Sequence, residues 1–178
     1  IDVKEGYLLP ETYSFKKNDS RDSIIKQMQD AMNKQLDIVW NSRSKDIAKH
    51  IKTKDDLLNL ASIVEKETII ELEKPIVAGV YLNRLIIRMR LQADPTVIYG
   101  AKDYAGDITY AMLRDENEYN TYVIYGLPPT PIANPGLASI KAVANPKKTE
   151  FYYFVADGKG GHVFSENYEQ IGRASCRE

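Results

Sequence analysis

Residues 53–68 read TKDDLLNLASIVEKET and set the architecture of this chain. Apolar residues recur there at helical spacing, and two aspartates near the start favour a helix N-terminus through the helix dipole. Thr53 is the predicted cap of this helix. Winding the segment and its continuation to residue 72 at about 100° per residue places five residues in one stripe, namely Leu57, Ala61, Val64, Thr68 and Leu72. Glu65 falls only about 60° from the stripe centre, so a lone carboxylate is predicted beside a buried helix face.

The segment ends with two glutamates, Glu65 and Glu67, whose predicted environments differ. Residues two apart on a helix do not face each other, so these two are not predicted to form a facing catalytic pair. Because burial disfavours the charged form of a carboxylate, Glu65 is expected to stay protonated near neutral pH and to deliver a proton to a leaving oxygen. The helix alone leaves an alternative open, in which Glu65 is a boundary residue paired with an Arg or Lys.

Composition restricts the class of protein before any motif is considered. With 178 residues, 43% of them hydrophobic, the chain is long enough for one substantial core. The 24 Lys and Arg residues balance 25 Asp and Glu residues without a long basic block, which argues against nucleic-acid binding. The sequence contains no apolar run of about 18 residues, so no membrane span is predicted. The start at Ile1 lacks an initiator Met and a signal peptide, so we expect an excised, soluble piece of a protein.

Metal and disulfide chemistry find little support in the sequence. The only cysteine is Cys176, which excludes an internal disulfide framework and a cysteine metal site. His50 and His162 are isolated from each other, so no metal site is predicted, and no cofactor is expected.

Helical and strand patterns elsewhere predict an α+β fold. The predicted elements are helices over 20–41, from Pro75 onward and over about 137–144, and strands over 151–156 and 162–164 that form a hairpin. We predict one catalytic domain over residues 1–171, with a small N-terminal lobe over 1–50. Residues 172–178 are predicted to be a non-native tail.

Tyrosine and asparagine residues cluster in the loops, which suits a carbohydrate groove. Aromatic faces stack on sugar rings, and Asn and Gln amides hydrogen-bond hydroxyl and acetamido groups. The alternative is ordinary packing of amphipathic side chains at element boundaries. The candidate substrate contacts are Gln92, Asp94, Thr96, Tyr119, Asn120, Tyr122 and Asn134.

Eight blocks, taken in order, resemble the YceG-like (MltG) family of endolytic murein transglycosylases over most of the chain. They are EGYLLPETY (5–13), ASIVEKET (61–68), NRL (83–85), MRLQ (89–92), DPTVIYG (94–100), YNTY (119–122), GLPP (126–129) and FVADG (154–158). The resemblance implies that the β-1,4 bond between N-acetylmuramic acid and N-acetylglucosamine is cleaved without water, leaving a 1,6-anhydromuramic acid end. It maps the catalytic glutamate onto Glu65, with Glu67 as second choice. It also implies a lysozyme-like helical segment around Glu65 and a small antiparallel sheet.

Under this resemblance one carboxyl group serves twice. Protonated Glu65 donates to the glycosidic oxygen, and its carboxylate then takes the proton of the muramic C6 hydroxyl as that oxygen attacks the anomeric carbon. A hydrolytic muramidase would need a second carboxylate, for which Glu118 and Asp94 are the candidates, while the role of Glu11 stays open. A noncatalytic glycan-binding or scaffolding module would not depend on Glu65.

The resemblance also implies partners and a location. The expected substrate is the peptidoglycan glycan strand, cell-wall synthesis proteins are expected partners, and no nucleic acid is expected. The whole protein is expected at the extracytoplasmic face of the bacterial cell membrane, held by an N-terminal anchor outside this chain. Residues 172–178 are expected to replace the closing helix of the family.

Overall fold

The computed structural model describes residues 3–175, except the side chains of residues 172–175. Seven α-helices and one two-stranded antiparallel sheet make up this part of the chain, which confirms the predicted α+β class. The elements are α1 (Arg21–Asn41), a 3-10 turn (Lys45–Ile47), α2 (Lys54–Glu67), α3 (Lys74–Ile86), α4 (Asp94–Gly100), α5 (Tyr110–Arg114), α6 (Leu137–Ala144), β1 (Tyr153–Ala156), β2 (His162–Ser165) and α7 (Tyr168–Ser175). Within the described range, no helix has both the length and the hydropathy that crossing a bilayer requires.

Helix α2 lies at the centre of the hydrophobic core. Every residue from Leu57 to Val64 is buried, so the helix is enclosed on all sides instead of along one stripe. Its main neighbours are α6 and α3. The hydroxyl of Thr53 accepts the N–H of Asp56 at 3.0 Å, and the Asp56 carboxylate accepts the N–H of Thr53 at 2.9 Å. This capping box confirms the predicted start of the helix.

Helix α2 ends earlier than the predicted apolar stripe. Thr68 takes an extended conformation, with φ of −143° and ψ of 136°. Leu72 is therefore 87% exposed in the connection to α3, and the prediction that it belongs to the buried stripe is wrong. Apolar periodicity does not record where a helix stops. As a result, Glu65 and Glu67 occupy the last turn of α2, where the chain leaves the core.

The other predicted elements form close to their predicted bounds. Helix α3 has Pro75 in its first turn, and α6 covers the predicted 137–144. Strands β1 and β2 pair in antiparallel register, with Tyr153 opposite Ser165. The ring of Phe154 in β1 meets the ring of Tyr81 in α3 edge-on, with centroids 5.8 Å apart. The hairpin is therefore fixed against α3.

The end of the described chain is helical. Helix α7 continues through Ser175 and contacts both strands, and the expectation that residues 172–178 replace the family's closing helix stays a prediction. Cys176 and the two residues after it lie outside the described residues. The predicted domain boundaries and the predicted non-native tail stay predictions.

Candidate active site

Glu65, the first glutamate in the last turn of α2, is bound to three neighbours. Its Oε2 accepts the Nζ of Lys74 at 2.9 Å, the backbone N–H of Gly136 at 3.2 Å and the hydroxyl of Ser139. The Lys74 ammonium also donates to the Ser139 hydroxyl at 2.9 Å. Lys74 begins α3 and Ser139 lies in α6, so this carboxylate links the three central helices.

These contacts decide the ionisation state of Glu65. Desolvation by itself raises the pKa of Glu65, but the hydrogen bonds from Ser139, Lys74 and Gly136 outweigh it and hold the pKa below its usual value. The Lys74 side chain is only 7% exposed, against 30% for Glu65, so the ammonium depends on this carboxylate as its counter-charge. The prediction that Glu65 stays protonated is wrong. The structure contains the alternative, a boundary glutamate paired with a lysine.

Glu67 has the opposite electrostatic environment, although it is only two residues away. Its Oε1 accepts the hydroxyl of Tyr81 at 2.5 Å. Desolvation raises the pKa of Glu67 to about 7, and the negative charge of Asp94 acts in the same direction. The Tyr81 hydrogen bond and the nearby His162 and Arg84 oppose this rise in pKa without cancelling it. A carboxyl group with such a pKa can hold or release a proton at neutral pH, as a general acid and base must.

Arg84 organises the backbone around this carboxyl group. The side chain is buried, its Nε donates to the carbonyl of Tyr152 at 2.7 Å, and its Nη1 donates to the carbonyl of Leu91. The neighbouring Asn83 donates through Nδ2 to the carbonyls of residues 149 and 151, at 2.8 and 2.9 Å. Helix α3 thereby holds both the loop after it and the entry to the hairpin.

The loop that follows α3 has a strained backbone at both ends. Arg88 and Gln92 have φ values of 55° and 50°, in the left-handed region that is costly for residues other than glycine. The N–H of Gln92 donates to the carbonyl of Thr121 at 3.1 Å, while the Gln92 side chain is exposed. Strain of this kind is concentrated at functional sites, so Gln92 remains a candidate contact with substrate.

Asp94 and Tyr122 belong to the same electrostatic cluster as Glu67. The Tyr122 hydroxyl donates to the Asp94 carboxylate at 2.6 Å. Burial raises the pKa of Tyr122, and the hydrogen bond and charge of Asp94 and the charge of Glu67 add to that rise. Asp94 is exposed at the start of α4, so a ligand can reach it beside Glu67.

Three of the candidate substrate contacts have internal partners. Thr96 is fully buried, with its hydroxyl 2.8 Å from that of Thr121. Asn120 is also fully buried, and its amide donates to a backbone carbonyl just after α5 at 2.8 Å. The Oδ1 of Asn134 accepts two N–H groups of the N-terminal segment, at 2.9 and 3.1 Å. These three side chains therefore position loops, and their predicted role as substrate contacts stays a prediction.

The remaining candidates are Tyr119, Glu11 and Glu118. The hydroxyl of Tyr119 is 2.9 Å from that of Thr130, and its ring centroid is 4.9 Å from that of Tyr99. Glu11 and Glu118 are both exposed. Among the described residues, no group of three or more His, Cys, Asp or Glu side chains is arranged to hold a metal ion.

A pair between Glu73 and His162 fastens the hairpin to the end of α2. The Glu73 carboxylate accepts the backbone N–H of His162 at 2.9 Å and contacts its Nδ1 at 2.7 Å. The same carboxylate accepts the hydroxyl of Thr68 at 3.1 Å. Sequence reasoning did not find Glu73, Tyr81 or Ser139, because single polar residues within apolar or loop segments carry no signal of what they will contact.

The fold and the site together place two carboxyl groups of opposite electrostatic environment at the end of a buried helix in an α+β protein. The chain belongs to the YceG-like family, whose sequence model matches residues 1–176. The predicted family is thus confirmed.

Relatives and a solved structure agree with this membership. A protein named endolytic murein transglycosylase from Bacillus subtilis is 37% identical over 171 residues, covering 96% of this chain and 46% of that protein. One of the same name from Streptococcus pneumoniae is 36% identical over 172 residues, covering 93% of this chain and 30% of that protein. A crystal structure of a yceG-like protein from Listeria monocytogenes has a TM-score of 0.81 at 36% identity, covering 94% of this chain and 54% of that one. The chain spans about half of these proteins or less.

Proposed function

We propose that this chain is the catalytic domain of a lytic transglycosylase acting on peptidoglycan glycan strands. The bond broken is the β-1,4 link between N-acetylmuramic acid and N-acetylglucosamine, and the product carries a 1,6-anhydromuramic acid end. The observation that carries the proposal is a glutamate with a pKa of about 7 beside an ionised glutamate, in a chain of the YceG-like family. The relatives' names supply the substrate class.

We assign the proton transfer to Glu67 ahead of Glu65. Because its pKa is about 7, Glu67 is divided between protonated and charged forms at neutral pH, so it can donate a proton and later accept one. Glu65 is held ionised by Ser139 and Lys74 and has no proton to give. The sequence ranked the two in the opposite order because it does not reveal which cation or hydroxyl each one meets.

In the proposed reaction, Glu67 gives its proton to the glycosidic oxygen as the bond to the anomeric carbon of N-acetylmuramic acid breaks. The C6 oxygen of the same sugar forms the new bond to that carbon, and the Glu67 carboxylate takes the C6 hydroxyl proton. Glu67 ends protonated, and no water is consumed. One carboxyl group suffices because the nucleophile is part of the substrate and has a high effective concentration. The nearby negative charge of Asp94 stabilises the positive charge that develops on the ring.

Glu65 has a positioning role in this scheme. Its carboxylate neutralises the buried Lys74 ammonium and bonds α6 through Ser139 and Gly136. The last turn of α2 is thereby held against α3 and α6, which fixes the direction in which Glu67 leaves the helix.

Hydrolysis is a second candidate, and Asp94 is the observation that favours it. Glycosidases that add water use two carboxyl groups across the scissile bond, and the charge of Asp94 acts directly on Glu67. Asp94 accepts the hydroxyl of Tyr122, which uses part of its capacity as a base. The chemistry of the new chain end separates the two reactions, because an anhydro end is one water lighter than a reducing end.

The experiment compares new chain ends made by four proteins from uncrosslinked glycan strands. Wild type, Glu67→Gln, Glu65→Gln and the matched control Glu71→Gln are incubated with strands, and products are identified by mass spectrometry. Glu71 is exposed in the α2–α3 connection, so the control makes the same chemical change outside the site. We expect anhydro ends from wild type and control, and a loss of about 10²- to 10⁴-fold for Glu67→Gln.

Other outcomes redirect the proposal. Folded Glu65→Gln protein without activity, together with an active Glu67→Gln, would return the proton transfer to Glu65. Reducing ends would indicate hydrolysis, with Asp94→Asn as the next variant to make. Strand binding by wild-type protein without any cleavage would indicate a noncatalytic glycan-binding module.

The site of action is part of the same proposal. The relatives are longer than this chain, which leaves room in the whole protein for a membrane anchor. We propose that the whole protein works at the extracytoplasmic face of the bacterial membrane, alongside cell-wall synthesis proteins. Fractionation of cells with an antibody against this domain tests the location, and recovery in the cytosolic fraction would contradict it.

A further inference from the structure

A cleft of about 740 Å³ opens at the other end of α2 from the two glutamates. Its walls are the N-terminal segment around residues 4–7, the first turns of α2, and the proline-rich loop 126–131. Neither Glu65 nor Glu67 lines it, so the proposed proton transfer does not account for it.

Asn59 lines this cleft with an unused hydrogen-bond acceptor. The residue is 5% exposed, and its Nδ2 donates to the carbonyl of Pro128 at 2.6 Å. Its Oδ1 is buried without a partner among the described residues. Rotating the amide does not help, because the oxygen would then face the Pro128 carbonyl. Buried acceptors are nearly always satisfied, so Asn59 indicates a ligand with an N–H or O–H donor.

The rim of the cleft carries charges of both signs. Lys4 and Lys52 supply positive charge, while Glu5, Asp55 and Asp56 supply negative charge. The Asp55 carboxylate is already oriented by the Tyr7 hydroxyl at 2.5 Å. Such a rim suits a zwitterionic ligand, since the ligand's carboxylates can pair with the lysines and its amine can pair with the acidic residues. A polyanion would be repelled by the acidic residues, and an uncharged sugar would leave both signs unused.

The cleft adjoins a second cavity. Leu85 and Gly126 line both this cleft and a second cavity of about 550 Å³, whose other walls are Arg88, Met89 and Tyr125. Arg88 begins the strained loop that ends at Gln92. The two cavities therefore meet at Leu85 and Gly126, on the side of the cleft where the strained loop begins.

We infer that this cleft binds the peptide stem attached to the muramic acid residues of the glycan strand. The inference rests on the proposed function for the identity of the strand. A stem offers amide N–H donors for Asn59, together with carboxylates and one amine for the rim. Asn59 and Glu67 are eight residues apart on α2, which is about 12 Å along the axis, and an extended stem of four residues reaches about 14 Å. The length of an extended stem thus matches the separation of Asn59 and Glu67 along α2.

The binding test uses the tripeptide L-alanyl-γ-D-glutamyl-L-lysine and the Glu67→Gln protein, so that cleavage plays no part. Titration followed by ¹H–¹⁵N NMR should shift the amides of residues 50–59 and those of Gly126, Leu127 and Thr130, since the prolines of this loop have no N–H. The same peptide with acetylated amines and amidated carboxyl groups should bind at least about tenfold more weakly, as expected when two charge pairs are lost.

Three variants locate the site. Asn59→Leu should weaken binding about tenfold, because the peptide donor then meets no acceptor. Lys52→Glu, an exposed change that does not depend on core packing, should weaken binding several-fold. Lys34→Glu is the matched control on the exposed face of α1 and should leave binding unchanged.

A cleavage assay with the active protein completes the test, using strands that carry stems and strands from which an amidase has removed them. We expect faster cleavage of the stem-bearing strands. No peptide binding, combined with equal cleavage of both strands, would overturn the inference while leaving the proposed function standing. Chitotetraose shifting the same amides in place of the peptide would also overturn it. Peptide binding in the cleft without cleavage of either strand would support the inference and contradict the proposed function.

Discussion

Replacing Glu67 with Gln should stabilise the fold above neutral pH, whereas the same change at Glu65 should destabilise it. The ordinary pKa of this carboxyl group is 4.5, and the fold raises it to about 7. Between these two pH values, the folded protein keeps Glu67 protonated while the unfolded chain does not. The raised pKa therefore contributes stability below pH 4.5, which is lost as the pH rises to about 7. That interval corresponds to up to about 3 kcal/mol. Glutamine never ionises, so the Glu67→Gln variant should gain up to this amount over wild type at pH 8 and nothing at pH 4.

The sign reverses at Glu65. Its pKa in the folded protein is depressed, so its stabilising contribution is present above the ordinary pKa and disappears as the pH falls through the folded value. Glu65→Gln leaves the Lys74 ammonium, whose side chain is 7% exposed, without its counter-charge. Breaking a buried ion pair on one side costs about 3 kcal/mol or more. This loss should be full at pH 7 and shrink below pH 4, where wild type loses the same charge.

Urea unfolding followed by circular dichroism at pH 4 to 8 measures both effects. Glu71→Gln, an exposed change in the same region, serves as the control and should follow wild type at every pH. Opposite signs for Glu67→Gln and Glu65→Gln at pH 8 would support the electrostatic assignment. A pH-independent loss of stability in Glu67→Gln would refute it, because Glu67 would then be an ordinary ionised carboxylate.

Three further changes test neighbouring parts of the structure. Cleavage should decline above pH 7 as Glu67 ionises. Tyr81→Phe should move that decline to higher pH, because the Tyr81 hydrogen bond lowers the pKa of Glu67. An unchanged pH–rate profile in this variant would contradict the assignment. Gln92→Gly should change the free energy of unfolding by less than about 1 kcal/mol, since it relieves a left-handed φ. The same variant should cleave glycan strands more slowly, and undiminished cleavage would remove Gln92 from the site. Gly79→Ala should cost about 2 kcal/mol in urea unfolding, because the added methyl group overlaps the carbonyl oxygen of Lys147; unchanged stability would mean that this segment moves aside freely.

The fold could be predicted where a local pattern decides the structure. The cap at Thr53, the helix over 137–144 and the hairpin all follow from neighbouring residues. The exposure of Leu72 does not follow from neighbouring residues, because the apolar period continues past the point where the helical hydrogen bonding of α2 stops. Helix α4, over Asp94–Gly100, was likewise missed, since its Asp-Pro start also suits a turn.

The candidate site could be predicted in its location but not in its chemistry. The sequence put two glutamates at the end of α2, and the structure agrees. Which of them holds a proton depends on Lys74, Ser139 and Tyr81, which reach α2 from two other helices. Ionisation is set by these tertiary contacts, and helical periodicity contains no record of them.

The hydrogen bonds of Asn83 and Arg84 carry a consequence for the order of events during synthesis. Both side chains bond carbonyls of residues 149–152, which are 66 to 68 positions later in the chain. While a ribosome is still adding those residues, the guanidinium group near Glu67 lacks one of its two carbonyl partners and the hairpin is missing. A nascent chain can thus bury α2 before the surroundings of Glu67 exist, so the acid matures only after residues 149–152 and the hairpin have been made.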